Sequence, residues 1–169
     1  ITCSRCATGR FAAASGSDSC LDCPAGFFQD QLGQVECKPC AYGRFKQEPG
    51  TQNCSDCPAG SYTSAETTLF ACADCPAGRY YQNADGTTCE LCDAGKYGNA
   101  AALTACVECD VGRFTAARAS VNCLRCPAGS FQDLRGQIAC KPCAYGRFKK
   151  LAGTQNCSDC PAGSYTSAE

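Results

Sequence analysis

Twenty cysteines dominate the chemistry open to this 169-residue chain. They form ten Cys-x-x-Cys pairs, at 3/6, 20/23, 37/40, 54/57, 72/75, 89/92, 106/109, 123/126, 140/143 and 157/160. Pairs of this kind serve three chemistries. Thiol–disulfide exchange needs a reactive thiolate, usually at a helix N-terminus, and ten equal copies without helical periodicity argue against it. Zinc could be held by two pairs 13 residues apart, four thiolates making a tetrahedral site. The evenness of the array, the lack of any His and the lack of the basic surface usual in zinc modules weigh against metal. Structural disulfides remain, and about 12% cysteine is well above the level at which a disulfide scaffold is the default. Disulfides persist in oxidising compartments, so an extracellular or cell-surface protein is expected. No metal or other cofactor is expected, and with no His and no isolated nucleophile there is no catalytic candidate: the chain does not read as an enzyme.

The pairs are positioned by a repeating unit, seen clearly in Cys54-Ser55-Asp56-Cys57-Pro58-Ala59-Gly60-Ser61-Tyr62. A glycine stands three residues after the second cysteine and an aromatic two further on, ten times over, with a period of 17 and one 18-residue step from Cys54 to Cys72. Ten glycines in equivalent places, from Gly9 to Gly163, argue for a backbone site that needs positive φ or a close neighbour. Pro24, Pro58, Pro76, Pro127 and Pro161 make Cys-Pro-Ala-Gly turns, with Pro presetting φ and Gly completing the reversal. Each turn leads into a short β-prone stretch, and further turn signals follow at Gly16, Gly33, Gly50, Gly86, Gly136 and Gly153. Strand, glycine turn and return to the next cysteine describe a two-stranded ribbon. No helix is expected; Ala100–Leu103 has the propensity but not the length. The fold class is therefore all-β, a disulfide-rich tandem repeat. Periodicity of this kind implies a solenoid or rod, at two strands per repeat about 10 Å of advance each and on the order of 100 Å in all.

A longer period lies over the short one. Residues 37–66 recur as 140–169, an offset of 103, except at Gln47/Lys150, Glu48/Leu151 and Pro49/Ala152. Residues 1–169 are read as one continuous array of ten repeats cut from a longer chain, as a fibre- or stalk-forming protein would carry. Fifteen basic against sixteen acidic residues offer no charge-based reason for nucleic acid as partner, and no apolar run is long enough for direct membrane insertion. Between glycine and aromatic, arginine occupies every second repeat (Arg10, Arg44, Arg79, Arg113, Arg147). If successive repeats turn by about half a revolution these guanidinium groups share one side and could stack on aromatics; solvated charge at a tolerant position reads equally well.

Spacing narrows the cysteine pairing without fixing it. A bridge inside one Cys-x-x-Cys closes a very small, typically redox-active ring, whereas one from the second cysteine of a pair to the first of the next encloses the 13-residue ribbon. The unit Cys-x-x-Cys-Pro-Ala-Gly-x-[Phe/Tyr], followed by about nine residues and another Cys, resembles the short cysteine-rich repeat of ephrin-receptor-like and tumour-necrosis-factor-receptor-like ectodomains, over the whole chain. That resemblance implies Cys6–Cys20, Cys23–Cys37, Cys40–Cys54, Cys57–Cys72, Cys75–Cys89, Cys92–Cys106, Cys109–Cys123, Cys126–Cys140 and Cys143–Cys157. Cys3 and Cys160 are then left to bridge to adjoining repeats, in the same polypeptide or in another subunit. Receptors of this kind alternate the one-bridge unit with a two-bridge unit, and only the first occurs here, which favours architecture over ligand binding.

The expected function is a structural subunit of an extracellular filament, flagellar hair or cell-surface stalk, with self-association or continuation of the same chain as the partner. The alternative is a segment of a ligand-binding receptor or adhesion ectodomain, for which the irregular Thr67-Thr68-Leu69-Phe70 would be the contact. Asn53-Cys54-Ser55 and Asn156-Cys157-Ser158 match the N-glycan acceptor pattern. Thr63, Ser64, Thr67 and Thr68 are candidates for O-linked sugar, which would mask strand edges; a glycoprotein is expected on these grounds.

Overall fold

The computed structural model describes residues 2–64, 69–81, 88–153 and 156–166. Among them there is no helix, and nine two-stranded antiparallel ribbons follow one another along the chain. Two compact units form, Ile1–Cys75 with Tyr81–Cys89, and Pro76–Tyr80 with Glu90–Glu169. The first holds four ribbons: Arg10–Phe11 with Leu21–Asp22, Phe27–Phe28 with Lys38–Pro39, Arg44–Phe45 with Ser55–Asp56, and Ser61–Tyr62 with Ala73–Asp74. The second holds five: Arg79–Tyr80 with Glu90–Leu91, Lys96–Tyr97 with Val107–Glu108, Arg113–Phe114 with Leu124–Arg125, Ser130–Phe131 with Lys141–Pro142, and Arg147–Phe148 with Ser158–Asp159.

Each strand is two residues long, and the return strand is the pair of residues enclosed by a Cys-x-x-Cys. The sequence placed a strand after the glycine but did not single out that interior pair as its partner. Every ribbon begins with a tight turn. Phe27 N–H donates to the Pro24 carbonyl (3.0 Å) and Ser61 N–H to the Pro58 carbonyl (3.0 Å), with Gly26 and Gly60 at φ +81° and +84°. Positive φ confined to the third residue marks a type II turn. Proline stands at its first position, so the same turn closes on Ala7, Ala41, Asp93 and Asp110; glycine, not proline, is the requirement. All ten motif glycines have positive φ.

The second turn carries a surprise. Gly16, Gly33, Gly50, Gly136 and Gly153 have positive φ there, and in the sixth and seventh repeats Ala102 (φ 57°) and Ala119 (φ 56°) take the place. An L-residue in that region costs roughly 1–2 kcal/mol relative to the right-handed one, so those turns are held by their surroundings. Gly86 lies outside the described residues.

The core is sulfur. The nine disulfides are Cys6–Cys20, Cys23–Cys37, Cys40–Cys54, Cys57–Cys72, Cys75–Cys89, Cys92–Cys106, Cys109–Cys123, Cys126–Cys140 and Cys143–Cys157. Each runs from the cysteine ahead of a ribbon's first turn to the cysteine just before its return strand, and the second cysteine of a pair also donates its N–H to the preceding motif glycine's carbonyl, as Cys23 does to Gly9 (2.8 Å). Cys23, Cys75, Cys92, Cys109 and Cys126 are fully buried. The motif aromatics are no more than half-buried, because a ribbon two residues wide has no second layer to cover a ring.

Candidate functional site: the ladder between repeats

What these repeats build, within each of the two units, is a regular contact from one ribbon to those after it. The motif glycine N–H donates to the carbonyl three residues beyond the next motif glycine: Gly9 to Gln29 (2.7 Å), Gly26 to Lys46 (2.9 Å), Gly95 to Thr115 (2.8 Å), Gly112 to Gln132 (2.7 Å) and Gly129 to Lys149 (3.0 Å). Where that residue is Thr63 or Thr166, its hydroxyl accepts instead, from Gly43 (2.8 Å) and Gly146 (2.9 Å). A second rung comes from the other turn, whose positive-φ residue donates its N–H to the carbonyl of the preceding repeat's second cysteine, as Gly33 does to Cys6 (2.8 Å) and Ala119 to Cys92 (2.7 Å).

A third contact skips a repeat. A Cβ built on Gly9 would fall on the Gly50 carbonyl, one on Gly78 on the Ala119 carbonyl and one on Gly95 on the Gly136 carbonyl. The turns at Gly50, Ala119 and Gly136 therefore bond to the repeat before them (Cys23, Cys92 and Cys109) and lie against the motif glycine of the repeat before that. Motif glycines answer to two demands together, a positive φ and this close approach.

The ladder's inner surface consists of residues that, Thr63 apart, the sequence reading passed over. Gln29, Lys46, Thr63, Thr115, Gln132 and Lys149, each just after a motif aromatic, are buried polar side chains. Burying such groups is costly unless they are bonded, and among the described residues no buried side-chain polar atom lacks a partner. Gln29 Nε2 donates to the Glu36 carbonyl (2.7 Å) while its Oε1 accepts from Gln31 N–H (3.1 Å); Gln132 does the same with Ala139 and Leu134. The Lys46 ammonium donates to the Phe27 carbonyl and to the Thr51 carbonyl (3.1 Å), tying one ribbon to the next turn, and burial pushes its pKa down. Lys149 repeats this with the Ser130 carbonyl (2.6 Å) and the same downward shift. The signal available in the sequence was the recurrence of Gln, Lys and Thr at one register position, Gln29/Gln132, Lys46/Lys149 and Thr63/Thr166.

Three of the five alternating arginines make ion pairs in place of the ring stacking that one reading of the alternation held. Arg10, Arg44 and Arg147 pair across their own ribbons with Asp22 (2.7 Å), Asp56 (2.6 Å) and Asp159 (2.7 Å), because a carboxylate directly opposite meets the guanidinium better than a ring does. Asp56 in turn raises the Arg44 pKa. Lysines do lie over rings: Lys38 over Phe28 and Lys141 over Phe131, each 5.9 Å from the centroid, and Lys150 over Phe148 at 6.0 Å.

Of the other sequence candidates, Asn53 and Asn156 are exposed and Ser64 is half-buried. Thr63 is a correction: it is fully buried with its hydroxyl bonded to the Gly43 N–H and the Arg44 carbonyl, so it offers no acceptor for sugar. Thr67 and Thr68 lie outside the described residues. Leu69 packs against Gly26 and its carbonyl accepts from Lys46 N–H (3.0 Å), which makes it part of the ladder, while Phe70 remains exposed. Cys3 is an exposed thiol and Cys160 a half-buried one. Among the described residues no helix is long and apolar enough to cross a membrane.

The ephrin-receptor-like family, described as tyrosine-protein kinase ephrin type A/B receptor-like, matches residues 1–33, 31–68, 95–136 and 129–169. The chain belongs to that family of cysteine-rich repeats. No curated protein matches it. The family is a non-catalytic structural module type, and together with the nine disulfides it points to an extracellular, cysteine-rich module.

Proposed function

We propose that this chain is a length of extracellular shaft, the repeating mass of a filament, flagellar hair or cell-surface stalk, and not an enzyme. One observation carries the reading: the same glycine-to-carbonyl rung joins successive repeats over and over. A contact that presents a donor on one side and an acceptor on the other is heterologous, and it extends an array without closing it. Cys3 and Cys160 stand in the register of a first and a second pair member, so an adjoining repeat, from the same polypeptide or a second copy docked head to tail, would bridge to them as its neighbours do. Sugar on Asn53 and Asn156 would repeat along such a shaft with the 103-residue period.

Negative-stain imaging of native material, with non-reducing mass spectrometry of the same sample, tests this. Filaments or extended particles are expected, with Cys3 and Cys160 in disulfides to adjoining repeats. A compact particle of about 17.6 kDa with both thiols capped or joined to each other would overturn the shaft. The second reading, a receptor or adhesion segment, has one observation on its side, a mostly apolar groove lined by Phe28, Pro39, Cys40, Ala41, Tyr42 and Leu69 with Lys38.

A further inference from the structure

We infer that the cleft beside Arg113 binds an acidic sugar, the uronate or sulfated residue of an anionic polysaccharide. The observation is a break in the charge pattern of the ribbons. Residues facing each other in an antiparallel pair send their side chains to the same face. At this register position Arg10, Arg44 and Arg147 meet Asp22, Asp56 and Asp159 in ion pairs, and Lys96 faces Glu108. Only in the ribbon Arg113–Phe114 with Leu124–Arg125 does arginine face arginine. Like charges placed opposite each other destabilise a ribbon, so the pair is a cost to folding that the other ribbons avoid.

Neither guanidinium is neutralised. Arg113 Nη1 donates to the Cys123 carbonyl (3.1 Å), a partner without charge, and the Arg125 stem lies along Gly153. Asp110, the one carboxylate lining the cleft beside Arg113, is already paired with Arg135 (3.3 Å). Two positive charges therefore stand uncompensated on one face. Beside Arg113 opens a cleft of about 290 Å³ lined by Tyr97, Asp110, Arg113, Asn122 and Cys123. A half-exposed tyrosine ring offers a surface for a pyranose face, the asparagine amide donates and accepts as sugar hydroxyls require, and the Arg113 guanidinium, which faces Arg125 instead of a carboxylate, is left to take carboxylate or sulfate oxygens in bidentate fashion. The comparable groove around Tyr42 and Arg44 lacks this feature, since Asp56 cancels its arginine.

The test is titration of the full chain with a heparin-derived hexasaccharide, neutral maltohexaose and a poly-glutamate peptide, with unfolding midpoints confirming that each variant is folded. The expected result is binding of the hexasaccharide that weakens with salt, no binding of maltohexaose, and at least about a tenfold loss in Arg125→Asp, which restores the pattern of the other ribbons. Tyr97→Ala is expected to weaken the hexasaccharide while leaving its salt dependence unchanged. Failure of the native chain to bind, or equal binding by Arg125→Asp, overturns the site. Loss in Arg125→Asp without loss in Tyr97→Ala, or tighter binding of poly-glutamate than of the hexasaccharide, overturns the assignment to sugar.

Discussion

Residues 37–66 and 140–169 are the same sequence but for three turn residues, yet their surroundings differ. Contacts within a repeat and to its immediate neighbour recur in both. Arg44–Asp56 (2.6 Å) matches Arg147–Asp159 (2.7 Å), and the Gly43–Thr63 rung (2.8 Å) matches Gly146–Thr166 (2.9 Å). Burial does not recur. Tyr62 is half-buried and Thr63 fully so, whereas Tyr165 is 86% exposed; Tyr42 is 46% exposed and Tyr145 87%. The first copy has further described repeats after it and the second does not. The chemistry of a repeat is thus local, while its solvent shielding is supplied by the repeats that follow, as expected of a quasi-one-dimensional array. The three differing residues confirm how little the turn matters to the ladder, since Lys46 and Lys149 stay buried on either version.

The strongest way to break this comparison is at the motif glycine. Gly95 has the Gly136 carbonyl over it, while nothing lies within 4 Å of a Cβ on Gly129. Gly95→Ala is expected to cost about 2–5 kcal/mol, positive-φ strain plus displacement of the turn two repeats on. Gly129→Ala meets only the strain, about 1–2 kcal/mol. Denaturant unfolding of both variants checks this, and equal losses would remove the skipped-repeat contact from the account of stability.

A smaller effect of opposite sign is expected at the alanine turns. Ala119 holds φ 56° where the two copies carry glycine. Ala119→Gly relieves that strain at the cost of a looser unfolded chain, a net gain of about 0.5–1 kcal/mol, visible as a raised unfolding midpoint. A lowered midpoint would mean that the Ala119 methyl packs in a way glycine cannot replace.

The smallest effect concerns acid. Asp30 and Asp133 occupy equivalent places, bonded to Lys38 (2.8 Å) and Lys141 (2.7 Å), and that hydrogen bond holds each carboxyl below its ordinary range. A lowered folded-state pKa favours the native state above the ordinary carboxylate pKa, and this contribution fades as pH falls through the folded value. Asp30→Asn and Asp133→Asn should each flatten the acid limb of the stability profile slightly and by the same amount. Both sites are exposed and screened, so at neutral pH the change is small. Unequal shifts in pH-dependent unfolding would show that the copies differ in more than their cover.

How legible was this molecule in its sequence? Cysteine register, the ten glycines and the short-strand ribbon followed from the spacing alone, because turn conformation and strand length depend on residues a few positions apart. Gly26 needs positive φ whatever surrounds it, and Cys-x-x-Cys enforces a narrow hairpin end. Spacing left the cysteine partners open, and Ala102 and Ala119 gave no turn signal because only their surroundings hold them left-handed. The polar inner surface of Gln29, Lys46 and Thr63, the aspartate partners of the arginines and the turn carbonyl resting on a glycine two repeats earlier were decided by tertiary structure. The arginine–aspartate pairs join residues 12 positions apart across one ribbon, where register decides them; the ladder contacts join residues 20, 27 or 41 positions apart, and which of those meet depends on the rotation from one ribbon to the next, a quantity that no local pattern of residues encodes.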